Sequence, residues 1–273
     1  MSTIEVMPGR LNEAETADLR RAIACLEGTT FAQRLTDAVG RPMTLLARGL
    51  PAPVRQLAAH ASERALNGAL ALALRTIDGR GSARHASFAH KLAAAASGAV
   101  GGAFGLAALP VELPLSTTIL LRSIAEIARE EGEDLRAPQT ALACIEVFAL
   151  GKQQEEAAFE SGYFAVRAAL AKSVTDSARF IANQGIRAQS APVVARFISQ
   201  IAARFGLIVS EKVAAQAAPI VGALGGAAVN ALFADHFQTL ARGHFIVRRL
   251  ERAHGAGLVA FEYQRLRGEA GRA

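Results

Sequence analysis

Tryptophan is absent from this chain of 273 residues, and only two cysteines, two tyrosines and three methionines occur. Aromatic residues make up 5% and hydrophobic residues 51%, so a core has to be built from Ala, Leu, Ile and Val. Ala is the best helix former, and stretches alternating at strand period are scarce. The predicted class is all-α, a multi-helix bundle. Cys25 and Cys144 have neither metal-ligand nor redox spacing, which excludes zinc modules and dithiol chemistry. They fit small core positions in a reducing compartment. The opening "MSTIEVMPGR" lacks the charged-then-apolar pattern of a secretory leader, so a cytoplasmic location is expected.

Catalytic signatures are missing too. There is no GxxxxGK[ST] phosphate loop and no GxGxxG dinucleotide fingerprint. There is no GxSxG elbow and no HExxH pair. Asp235, His236 and His244 invite a metal reading, but their spacing is wrong for one, and no metal or other cofactor is expected.

Punctuation divides what is present. Asn12 with Glu15 three residues later reads as a capping box, opening a helix to about Gly28. A second helix is expected from Phe31 to Arg48, ended by Pro51 and Pro53, and a third to about Ile77. "DGRGSARH", residues 78 to 85, is the most linker-like stretch. A helical N-terminal extension (1–80) is therefore expected before the main domain (81–257). That domain should hold helices at about 86–109, 115–131, 138 onward, 161–184, 191–217 and 219–254. A short basic C-terminal tail (258–273) ends the chain, expected as a short helix that frays at "RGEAGRA".

Two long stretches carry no charge. Residues 92–111 form one, of 20 positions, and 213–234 the other, of 22. About 20 apolar residues suffice to span a bilayer, but much of each run is Ala and Gly, which contribute little transfer energy. Their glycines are spaced: Gly98 with Gly102, Gly101 with Gly105, and Gly222 with Gly226. Four residues is just over one helical turn, so each pair makes a flat face for close backbone approach. The strings GAVGGA and GALGGA lie 124 positions apart, with Gly225 and Asn230 extending the second. They are expected to pack as a central helix pair, or to form a membrane-inserting hairpin.

Four polar residues are candidates for chemistry: Glu112, Arg122, Glu126 and His236. Glu112 sits in "PVELP", where it either complements a helix N-terminus or is a buried carboxylate. The 124-residue offset maps it onto His236, so Glu112, Asp235 and His236 converge if the paired runs pack in parallel. Arg122, Glu126 and Arg129 share one helix face, as a solvated stripe or as the edge of the same cleft. Lys212 beside Glu211 reads as an ordinary helix-face charge.

The net charge of +6 is concentrated late: residues 242–273 hold seven Arg against three Glu. In "ARGHFIVRRLER" (241–252), Arg242, Arg248, Arg249 and Arg252 alternate with apolar residues, as in an amphipathic basic helix facing an anionic membrane. The bland alternative is a solvated helix end complementing its own dipole. No nucleic-acid-binding signature accompanies it, and no nucleic-acid partner is expected.

"GAVGGAFGLAALPVELP", "LLRSIAEIAREEGED" and "APIVGALGGAAVNALFADHFQTLARGHFIVRRL" together resemble the EcsC protein family. The matching features are the Gly-rich run, the acid-Leu-Pro step at Glu112–Pro114 and the Arg122/Glu126 helix. They continue through Gly132-Glu133-Asp134, Pro219, Gly222 and Asn230 to Phe245 and Arg248, over about 86–254. The family takes its name from the third member of a bacterial operon whose other products form an ABC transporter. The resemblance implies bacterial origin and a link to membrane processes, without a reaction. The expected function is therefore a non-enzymatic helical protein associating peripherally with a membrane or a membrane transport complex. The alternative is an enzyme or binder of a lipid-like molecule, with its Glu/Arg/His cleft between the Gly-rich helices.

Overall fold

A computed structural model describes residues 10–77, 109–150, 162–185, 191–217 and 225–270. Among these residues there are ten α-helices, one 3₁₀ turn and no strand, so the chain is an all-α bundle. The helices are α1 (Glu13–Glu27), α2 (Phe31–Val39), α3 (Met43–Arg48), α4 (Ala52–Ile77), α5 (Leu109–Glu130), α6 (Pro138–Glu146), α7 (Gly162–Gln184), α8 (Pro192–Ala217), α9 (Gly225–His254) and α10 (Ala256–Ala270). The 3₁₀ turn, Val147–Ala149, follows α6.

Local chemistry sets the ends. Asn12 and Glu15 form the expected capping box: the Glu15 N–H donates to Asn12 Oδ1 at 2.8 Å, and the Asn12 N–H to Glu15 Oε2 at 2.9 Å. Thr30 and Gln33 repeat the device at the start of α2. The single helix expected over 31–48 is broken. Gly40 takes a left-handed φ of 70° and donates its N–H to the Thr36 carbonyl at 2.7 Å, ending α2. Pro42 then precedes α3, because a left-handed C-cap and a proline cannot continue a helix. The opposite happens at "PVELP", where α5 starts at Leu109 and runs through Pro114 rather than starting at Leu115. Pro114 lies in the second turn, where the one N–H it lacks would have reached Pro110.

α9 is the centre of the bundle, packing on α1, α2, α5, α8 and α10. Its Phe233 and Phe237 meet Phe31, Phe148 and Phe205 in a cluster of edge-to-face and tilted pairs with centroids 5.0 to 6.1 Å apart. Such pairs contribute about 0.5–1.5 kcal/mol each beyond area burial. α1 crosses α9 closely at Gly243, where a Cβ would stand 2.7 Å from Leu26 Cγ and 2.9 Å from the Ala22 carbonyl oxygen.

The helices of residues 10–77 do not form a separate core. α4 packs along α5 and α8, and α1 along α9, while their buried side chains join one cluster with those of α5 to α10. The boundary expected at 78–85 falls outside the described residues. The C-terminal segment is helical through Ala270, with Val259, Tyr263 and Leu266 buried. Among the described residues α8 alone is long and apolar enough to cross a membrane, and half of its most apolar window is buried. A core helix of a soluble bundle has the same profile.

Candidate functional site

The first uncharged run ends at Glu112 and the second begins after Lys212, and these two residues meet. Lys212 Nζ donates to Glu112 Oε1 at 2.8 Å. The lysine, on α8, is fully buried, and the side chain of Glu112, in the first turn of α5, is only 11% exposed. The ammonium also lies 4.7 Å from the ring centroid of Phe233 on α9, a cation–π contact strengthened by desolvation. Burial pushes Lys212 below its usual range, and the charge of Glu112 offsets part of that. Glu211, next to it, is pushed up to about 7 by burial. Lys212 is thus not a helix-face charge. Spacing could have flagged it: it opens one uncharged run as Glu112 closes the other, with opposite sign.

The pair joins the end of the first run to the start of the second. Val111, the last residue of the first run, is 75% exposed, and Leu115, one turn later on the same helix, is 46% exposed. Two polar atoms on the flanking helices are buried without a hydrogen-bond partner, Thr117 Oγ1 on α5 and Asn230 Oδ1 on α9. Gly98, Gly101, Gly102, Gly105 and Gly222 lie outside the described residues, and so does the expected packing of GAVGGA on GALGGA. Gly225 and Gly226 form the first turn of α9.

The four residues proposed for chemistry have different surroundings. Arg122 and Glu126 are exposed on α5. Arg122 lines a half-open cavity of about 70 Å³ with Leu72, Ala73, Leu121, Thr140 and Cys144, among others. His236 is buried against Phe31 and Phe237 and lines a different cavity, of about 20 Å³, with Thr30, Arg34 and Thr239. Burial, with the Arg34 charge next, pushes His236 down to about 3, so it is neutral at pH 7. Glu112 lines neither cavity. Asp235 is half-exposed and paired with Arg34. Between Glu112 and His236 stands a chain of packing, from Lys212 over Phe233 to Phe31. Among the described residues no group of three His, Cys, Asp or Glu side chains is placed to hold a metal.

The basic helix is neutralised from within. Arg248 makes a bidentate pair with Glu133 at 2.8 and 3.0 Å. Arg249 reaches Glu131 at 2.7 Å and Asp18 at 2.6 Å. Arg252 pairs with Glu133 and donates to the Glu131 carbonyl at 2.6 Å. The "EGED" turn thus clamps α9, its own geometry fixed by Gly132 at a φ of 78°. Burial alone would raise the Glu133 carboxyl, but Arg248 and Arg252 outweigh it and hold the group below its usual range. Of the four arginines, Arg242 is the exposed one outside this clamp.

Behind the clamp lies a buried network that sequence reasoning missed. Tyr163 Oη and His244 Nδ1 are 3.1 Å apart. Arg167 donates to Tyr163 Oη at 3.2 Å and grips Glu251 at 2.7 and 3.0 Å. His244 is fully buried, its Nε2 has no partner, and burial holds its pKa well below the usual range. Glu146 is pushed up to about 7 by burial. The Tyr163–Arg167 i, i+4 pair on α7 was the available signal, but nothing local announced partners more than 80 residues away.

A model of the EcsC protein family matches residues 28–250. The match covers most of the chain and takes in α2 to α4, which the resemblance read from sequence left out. No curated protein and no solved structure matches. The chain belongs to the EcsC protein family.

Proposed function

We propose that this EcsC family member acts by peripheral association with a membrane, without catalysing a reaction, through the end of the bundle where its two uncharged runs meet. The observation carrying this reading is the Glu112–Lys212 pair. Glu112, which closes the first run, and Lys212, which opens the second, are withdrawn from solvent onto each other. Beside them, Val111 and Leu115 remain exposed on one helix face. An apolar surface flanked by neutralised charge suits insertion at the headgroup–acyl boundary. Contact with a membrane transport complex from the cytoplasmic side would use the same surface. The enzyme or lipid-binder reading has less support, because Arg122, His236 and Glu112 face three different surroundings.

Vesicle flotation tests the reading. The full chain is expected to float with liposomes, and Val111→Glu/Leu115→Glu to lose most of that binding while keeping its helical circular dichroism. Flotation of the variant at the wild-type level would overturn it.

A further inference from the structure

A second surface, unlike the apolar end, has the chemistry of a headgroup contact. From Ala38 to Ser62 the chain holds no acidic residue over 25 positions. Within that span Arg41, Arg48 and Arg55 recur at intervals of seven, and all three are exposed. They flank α3 and the start of α4. Arg55 donates to the Arg48 carbonyl at 3.2 Å, which fixes the α3–α4 corner. Leu45 stands out between them, 63% exposed. The corner does not end with these helices. α3 packs on α8, and Gly206 of α8 lies against α4, its Cβ position 3.8 Å from Ala59 Cα. The next α8 residue, Leu207, is 53% exposed.

We infer that this corner, with Arg41 and Arg55 around Leu45 on a stretch of chain without acid, is the surface that docks on anionic lipid headgroups. The inference rests on the membrane reading above and assigns its electrostatic part. It also replaces the C-terminal arginines in that role, since Arg248, Arg249 and Arg252 are already matched to Glu131, Glu133 and Asp18. A solvated helix corner needs neither a large exposed leucine nor 25 residues free of acid. Arginines around an apolar side chain match the boundary between headgroup and acyl chain, where guanidinium meets phosphate and the leucine enters hydrocarbon. The protruding leucine favours lipid over nucleic acid, whose phosphates would be met by arginines alone.

The test is flotation of the full chain with neutral phosphatidylcholine vesicles and with vesicles containing phosphatidylglycerol. Wild type should bind the anionic vesicles more tightly, and less so as salt is raised. Arg41→Gln/Arg55→Gln should weaken anionic binding by about 25-fold, at about fivefold per arginine, and leave binding to neutral vesicles unchanged. Leu45→Ser should weaken both. Arg129→Gln/Arg179→Gln, on α5 and α7, is the control and should change neither. If wild type floats equally with both vesicle types, or if the Arg41/Arg55 variant keeps its anionic preference, the docking surface is refuted and the apolar-end reading stands. If wild type floats with neither, both readings fall.

Discussion

Glu112→Gln should be among the most damaging conservative substitutions in the chain, although it removes only a charge. The variant leaves the Lys212 ammonium fully buried beside a neutral amide and the Phe233 ring. Removing one partner of a buried pair costs about 3–5 kcal/mol. A second route gives the same size. Keeping the amine neutral at pH 7, where a lysine of ordinary pKa 10.5 is charged, costs about 5 kcal/mol at 1.36 kcal/mol per pH unit. The pH dependence identifies the mechanism. In the variant the folded lysine has a depressed pKa, so the unfolded chain binds the extra proton between that value and about 10.5. Stability must then rise with pH across this window. Urea denaturation at pH 7 and pH 10 should show a deficit of about 3–5 kcal/mol that shrinks by more than half. The double variant Glu112→Leu/Lys212→Met should recover most of it, as apolar replacements of whole buried pairs do. A Glu112→Gln protein within about 1 kcal/mol of wild type, or a deficit unchanged with pH, would refute the reasoning.

Other regions give independent checks. Gly243→Ala places a methyl 2.7 Å from Leu26 Cγ and 2.9 Å from Cys25 Cβ, and thermal unfolding should show a loss of about 1–3 kcal/mol. Glu133, held below the ordinary 4.5 of a glutamate by Arg248 and Arg252, contributes stability that is present above pH 4.5 and is lost as pH falls through its lower folded value. Glu133→Gln should therefore flatten the acid limb of a stability–pH curve. Glu146 behaves oppositely: with a folded value near 7 against 4.5 unfolded, it binds its proton in the folded state, so its contribution falls as pH rises from 4.5 to 7. Glu146→Gln should gain stability at pH 8 relative to pH 5, read from denaturant midpoints.

Much of the architecture was legible because it is written locally. The Asn12 capping box, the α8 boundaries and the end of α9 follow from side chains within one turn of the event. The two misplaced boundaries have local causes as well. Gly40 looks like any helix glycine until its φ is known, and Pro114 looks like a breaker until it lies in an early helical turn. The site was half legible. Glu112 stood out because prolines and apolar residues frame it, but Lys212 did not, since a lysine between glutamate and valine resembles a surface residue until helix packing buries it. The idea of close backbone approach at small residues is realised among the described residues at Gly243, which has no repeat to mark it. The C-terminal arginines show the converse limit. Their periodicity is real, but the Glu131–Glu133 turn that neutralises them lies more than a hundred residues away, beyond any periodicity argument.

The central claim, that the apolar end at Val111 enters the membrane, is tested most directly by an environment-sensitive fluorophore there. Val111→Cys is labelled in a Cys25→Ser background; Cys144 is buried, with its thiol pushed up to about 12, and should not react. On adding liposomes the account predicts a blue shift and quenching by lipids brominated along the acyl chain. Unchanged emission from a protein that still floats with the same vesicles would contradict it.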